Sequence, residues 1–128
     1  MATILIVEDD PYVRNFYDRL FRIGSSHKVV MAGSGEEGLK LAKEQKPDLV
    51  LLDIMMPGMN GLEVLEKLKA ETETKDLTVV ILTNFGEEEF VKKAVALGAT
   101  SFIVKSEIEG EQLLKLVDKY IADQGSKN

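Results

Sequence analysis

The residues best equipped for chemistry in this chain stand directly after short apolar runs. Ile4-Leu5-Ile6-Val7 leads into Glu8-Asp9-Asp10, and Leu49-Val50-Leu51-Leu52 leads into Asp53. Val79-Val80-Ile81-Leu82 ends at Thr83, and Phe102-Ile103-Val104 ends at Lys105. If these endings share one edge of a sheet, several carboxylates crowd together and repel, and one ammonium cannot neutralise them. A hard dication can. Oxygen-only ligands with open positions suit Mg²⁺, which keeps several waters and often binds alongside phosphates. A carboxylate nucleophile, a metal clamp, a hydroxyl and an ammonium are the parts that move a phosphoryl group. Positioning and charge neutralisation supply most of the catalysis in that reaction.

The elements that must position these groups are legible in the pattern. The four runs, together with Val29-Val30-Met31, show no in/out alternation, as expected of strands buried on both faces of a parallel sheet. Segments of helical period lie between them. One stripe is Val13, Phe16, Tyr17, Leu20 and Phe21; a second is Leu62, Leu65 and Leu68; a third is Phe90, Val91, Ala94 and Val95. The last is Leu113, Leu116, Val117, Tyr120 and Ile121, and Ser34 with Glu37 forms a capping box for a helix near residues 35–45. Five strand–helix repeats predict an α/β fold with right-handed crossovers. A closed eight-fold barrel needs about 250 residues, so an open doubly wound sheet remains. In such a sheet ligands bind beyond the carboxyl ends of the strands, where the strand order reverses. Only the second run lacks a polar ending, as expected of a strand at the far side.

Composition narrows the function classes. The 128 residues, 45% apolar and 30% charged, predict a single domain over 1–128, with a flexible tail from about residue 123. There is no cysteine, which removes disulfides, thiolate catalysis and Cys-ligated zinc. His27 is the lone histidine, so neither a His-rich metal site nor a Ser-His-Asp triad is expected. Against 16 Lys+Arg stand 22 Asp+Glu, a net charge of −6, which disfavours binding through nucleic-acid phosphates. No export signal and no span of about 20 apolar residues is visible, so a cytoplasmic location without membrane contact is expected.

The sequence resembles the receiver domain of bacterial two-component response regulators over essentially its whole length. The anchors are Ile6-Val7-Glu8-Asp9-Asp10, the segment from Asp48 through Asp53 and Pro57 to Gly61, Thr83, Gly98-Ala99 and Lys105. The resemblance implies a flavodoxin-like sheet of order 2-1-3-4-5. It implies that Asp53 accepts a phosphoryl group from the phosphohistidine of a sensor kinase or histidine phosphotransfer protein. Asp9 would bind Mg²⁺ directly and Glu8 mainly through water, with Asp53 and the backbone carbonyl of Met55 completing the protein ligands. Thr83 and Lys105 would meet the phosphoryl oxygens, and Phe102 stands where the family carries an aromatic that follows Thr83. The output would pass to an unidentified protein partner through the α4-β5-α5 surface, Phe90 included, and a phosphorylation-dependent dimer is compatible with it. No separate enzymatic turnover is implied. Met55 and Phe85 would present apolar side chains near the phosphoryl site and slow its hydrolysis.

Other readings compete. Asp53 alone could open a turn, Thr83 could cap a helix, Lys105 could snorkel over the sheet edge, and Phe102 could be plain core. Asp10 is assigned to capping the helix that begins at Pro11. Gly33-Ser34-Gly35-Glu36-Glu37-Gly38 matches G-x-G-x-x-G, which keeps a flavin- or nucleotide-binding redox protein as the alternative. Glu36 and Glu37 stand against it, because carboxylates at a helix N-terminus repel a docking phosphate. A Mg²⁺-dependent phosphohydrolase is disfavoured because Met55, not a second aspartate, follows Asp53 by two. One departure from the family is clear. Ser106 follows Lys105 where the family usually carries a proline after a cis bond, which leaves the isomer and the shape of that loop open.

Overall fold

Each apolar run forms a strand in the computed structural model, which describes residues 2–125. The order is β1 (Thr3–Val7), α1 (Pro11–Gly24), β2 (Lys28–Ala32), α2 (Gly35–Gln45), β3 (Leu49–Leu52) and α3 (Gly61–Ala70). There follow β4 (Thr78–Thr83), α4 (Glu88–Ala96), β5 (Ser101–Val104), a 3₁₀ turn (Lys105–Glu107) and α5 (Gly110–Gly125). The sheet is parallel throughout, in the order β2-β1-β3-β4-β5. This is the flavodoxin-like arrangement expected. Helix α5 continues through residues 123–125, where the tail was expected to begin, and residues 126–128 lie outside those described.

The period of two within each strand sorts the core into two clusters. Leu5, Val7, Val50, Leu52, Val79 and Ile81 face α2, α3 and α4 and pack with Ala42, Val64, Leu65, Leu68 and Ala94. Ile4, Ile6, Leu49, Leu51, Val80 and Leu82 face α1 and α5 and pack with Tyr17, Phe21, Leu113 and Val117. Cutting one such leucine to alanine costs about 2–5 kcal/mol. Two expected stripes are only partly buried. Phe16 is 57% exposed beside Tyr12 and Ile23 on the outer face of α1, and Val95 is 61% exposed on α4. Helical period identifies a face but does not separate the buried row from its neighbour.

Asp10 caps α1, its Oδ1 accepting from the amides of Tyr12 (2.8 Å) and Val13 (3.3 Å). The Ser34–Glu37 box is half formed. Ser34 Oγ accepts from the Glu37 amide at 3.1 Å, but the Glu37 carboxylate takes the amide of Gly33 (2.6 Å) instead of that of Ser34. The complete reciprocal box belongs to Asn60 and Glu63 at the start of α3. Among the described residues no helix is long and apolar enough to cross a membrane.

Candidate functional site

Register brings the polar strand endings together. Val7 pairs with Leu52, Leu52 with Ile81, and Thr83 with Val104. Glu8, Asp53, Thr83 and Lys105 therefore emerge side by side on the carboxyl edge of β1, β3, β4 and β5. The ladder continues into this edge: the Asp53 amide donates to Val7 O (3.1 Å) and the Glu8 amide to Ala32 O (2.9 Å).

Asp53 is buried, at 7% exposure, and both its carboxylate oxygens are engaged. Oδ1 accepts from the Ile54 amide at 2.8 Å, and Oδ2 accepts from Lys105 Nζ at 3.0 Å. Lys105 Nζ also donates to Glu8 Oε1, while Glu8 Oε2 accepts from the Asp10 amide at 3.1 Å. Burial pushes the Glu8 carboxyl above the ordinary carboxylate range; repulsion from Asp53 adds to this, and the bonds to Lys105 and the Asp10 amide oppose it. For Lys105, burial alone would lower the ammonium's pKa, but Glu8 and Asp53 together outweigh it and hold it above its ordinary value. The ammonium is thus fixed between two carboxylates.

A third carboxylate, Asp9, joins them. One oxygen from each of Glu8, Asp9 and Asp53 lies within 4.8 Å of the others. This all-oxygen set fits a hard dication, because Lys105 supplies one positive charge against three carboxylates. The local sequence makes the approach feasible. The Gly61 amide donates to Ile54 O at 2.7 Å, bringing the start of α3 against the backbone after β3. Gly58, at φ +77°, turns the chain between them.

The other expected residues fall as follows. Thr83 is fully buried at the end of β4, its Oγ1 accepting from the Phe85 amide at 3.4 Å. It does not cap α4, whose N-cap is Glu87. Met55 and Phe85 are 48% and 39% exposed on the loops after β3 and β4. Phe102 is half-buried, packs toward the cluster under α4, and lines an open groove of about 450 Å³ with Ile108, Gln112 and Leu116. The Lys105–Ser106 bond is trans, as no peptide bond among the described residues is cis. His27 lies away from the site, bonded to Asp118 (2.7 Å) and the Ala2 amide (3.1 Å). The glycine-rich stretch is explained by packing, since a side chain at Gly38 would press on Val7.

Three participants were not legible in the sequence. Arg14 reaches back from α1 to the backbone of Glu8 and Asp9. Asn84 receives the Ser106 amide at 3.1 Å. The Tyr17 phenol is close enough to sense Lys105, Glu8 and Asp53 electrostatically. Only Asn84 had a signal: a serine in place of proline carries an amide hydrogen that needs an acceptor.

Comparison with known proteins agrees with this geometry. The model of the response regulator receiver domain family matches residues 4–118. The nitrate/nitrite response regulator protein NarL of Escherichia coli K12 is 39% identical over 124 residues, covering 96% of this chain and 56% of NarL. This chain thus spans about half the length of that relative. Protein PilH of Pseudomonas aeruginosa is 35% identical over 123 residues, covering 95% of this chain and 99% of PilH. Among solved structures, chemotaxis protein CheY4 of Vibrio cholerae superposes with a TM-score of 0.86 at 28% identity, covering 94% of this chain and 98% of CheY4.

Proposed function

The chain belongs to the response regulator receiver domain family of two-component signalling, and on that premise we propose that it is a switch set by phosphorylation of Asp53. The observation that carries this reading is the Asp53 carboxylate, buried, bonded to Lys105 and flanked by the carboxylates of Glu8 and Asp9. An Asp53 oxygen attacks the phosphorus of a partner's phosphohistidine. The P–N bond breaks, its electron pair returns to the imidazole, and an acyl phosphate forms. Lys105 stays paired to the modified carboxylate, and the Thr83 hydroxyl donates to a phosphoryl oxygen. Glu8, Asp9, Asp53 and the backbone carbonyl of Met55 would hold Mg²⁺, which when bound neutralises charge on the phosphoryl oxygens.

Modification replaces one negative charge by nearly two and adds acceptor oxygens, drawing in Thr83 and Lys105. Because Thr83 precedes α4 and Lys105 precedes α5, the shift biases the α4-β5-α5 surface, with Phe90 and Phe102 on it. Receiver domains interact with histidine kinases and with output domains or proteins; here we read the donor as a sensor kinase or histidine phosphotransfer protein. The output would be a protein partner, with no nucleic acid contacted directly, in the cytoplasm. A mostly inactive to mostly active shift requires about 5.5 kcal/mol of differential stabilisation. The chain would act as one receiver unit that assists its own phosphorylation and dephosphorylation without further turnover.

The test is intact-protein mass after incubation with acetyl phosphate, with and without Mg²⁺, beside Asp53→Ala. One added phosphoryl group that requires both Mg²⁺ and Asp53 is expected. An adduct that survives Asp53→Ala would overturn the assignment.

A further inference from the structure

The acidic loop after β1 divides its labour unevenly. Asp10 spends its carboxylate on capping α1, and Glu8 divides its own between Lys105 and the Asp10 amide. Asp9 keeps its carboxylate for the site. Side chains can converge this way only if the backbone beneath them is held, and beyond the Glu8 amide the chain has left the strand ladder. Consecutive carbonyls in a strand point in opposite directions. Those of Glu8 and Asp9 instead meet on a single atom: Arg14 Nη1 donates to both, at 3.1 and 2.9 Å.

The seat for this guanidinium is built from a second loop. A side chain on Gly33, at the end of β2, would come within 3.0 Å of the same Nη1, so glycine leaves room for it. The Gly33 amide is itself pinned by the Glu37 carboxylate at 2.6 Å. Arg14 is half-buried, and among the described residues no carboxylate forms an ion pair with it. Its positive charge therefore lies behind an acidic site, bonded to neutral carbonyls and competing with no metal for a ligand.

We propose that Arg14 is a positioning residue for the acidic site, holding the backbone carbonyls of Glu8 and Asp9 so that their carboxylates are preset for a divalent cation. This rests on the phosphoacceptor reading above and assigns part of its preorganisation to a residue that touches neither metal nor phosphoryl group. Both bonds leave one nitrogen of a rigid plane, which fixes the directions of its two hydrogens as a rotating lysine ammonium does not. Removing groups that orient metal ligands from behind typically costs about 10–100-fold in metal affinity or activity.

The experiment compares wild type with Arg14→Met, Arg14→Gln and Arg14→Lys. Mg²⁺ affinity is read by isothermal titration calorimetry, and phosphorylation by acetyl phosphate is followed across a Mg²⁺ series. Arg14→Met should weaken Mg²⁺ binding by about tenfold or more. Arg14→Lys should lie between it and wild type, because it keeps the charge but loses the fixed donor directions. At saturating Mg²⁺ the phosphorylation rate of each variant should return to within about twofold of wild type, the mark of a ligand-positioning group. Far-UV circular dichroism confirms folding, and Arg14→Gln carries the comparison if Arg14→Met does not fold. Wild-type Mg²⁺ affinity in the folded variants overturns the proposal, as does a rate deficit that Mg²⁺ does not restore. If wild type itself takes no phosphoryl group, the Asp53 reading fails instead, and calorimetry still judges Arg14.

Discussion

The backbone amide of Ser106 donates to the side-chain oxygen of Asn84 at 3.1 Å, joining the turn after β5 to the loop after β4. These two segments carry Lys105 and Thr83, the groups expected to converge on a phosphoryl group. The bond exists because residue 106 is a serine with an amide hydrogen, where the family usually carries proline. Asn84→Ala removes the acceptor alone. Amide exchange at Ser106 should accelerate by about tenfold, while global stability falls by no more than about 1.5 kcal/mol. Unchanged exchange would show that the bond does not hold the two loops.

Among the described residues Lys105 is the one cation paired with the carboxylates of Glu8 and Asp53. Lys105→Met leaves two buried carboxylates facing each other and should cost about 3 kcal/mol in the metal-free protein. Mg²⁺ then has more repulsion to relieve, so the variant should gain more in melting temperature from Mg²⁺ than wild type does. Phosphorylation should slow by about a hundredfold, as on losing one preorganised donor. Thermal melts with and without Mg²⁺, paired with mass readout, check both halves.

Gly61 admits no side chain. A Cβ there would overlap the carbonyl oxygen of Asp53 and come within 2.8 Å of the Ile54 Cα. Both obstacles are backbone, so neither rotates away. Gly61→Ala should therefore lower stability by about 3 kcal/mol in urea unfolding and displace the phosphoacceptor as well. A variant of native stability would mean that α3 slides at little cost.

Tyr17 reports on the site from beneath. Burial raises its phenol above the ordinary value, Lys105 opposes the shift, and Glu8 and Asp53 add to it. A folded pKa above the unfolded one means the phenol contributes stability in full below about pH 10. That contribution is lost as pH rises through the higher folded value. In a Tyr12→Phe, Tyr120→Phe background, phenolate absorbance should appear only above about pH 10. Removing Lys105 should push it higher still, and a midpoint that falls in Lys105→Met would contradict the electrostatic link.

Met55 and Phe85 stand two residues beyond Asp53 and Thr83 on the loops after β3 and β4, both partly exposed. Apolar side chains there should impede attacking water and prolong the acyl phosphate. Replacing both with polar residues, Met55→Asn and Phe85→Glu, should shorten its lifetime by about tenfold, roughly the effect of a modest general-base contribution. Following phosphoryl loss by mass after desalting decides this; equal lifetimes would assign no shielding to the pair.

Much of the site was legible because of one property of parallel sheets: every strand ends on the same edge. Four polar letters after four apolar runs are enough to place Glu8, Asp53, Thr83 and Lys105 together. Asp10 as a helix cap was equally plain, since its partners are amides two and three residues on. Arg14 was not, because what it binds are carbonyls, which every residue carries and no letter advertises. The outer row of α1 was hidden for a related reason. Phe16 and Tyr17 are adjacent in the chain and alike in chemistry, yet Tyr17 is 6% exposed and Phe16 57%. Only the direction from which the sheet approaches separates them.

The two side-chain clusters give the molecule an unusual wiring. Helix α4 rests on one and α5 on the other, with five strands of backbone between them. Among the described residues, a rearrangement under α4 meets α5-side residues at the outer edge of β5, where Phe102 lines a groove with Ile108 and Leu116. The acidic edge, where the strands end and side chains from both faces can meet, is a second place where the halves come together. One chemical event there can address both helices at once.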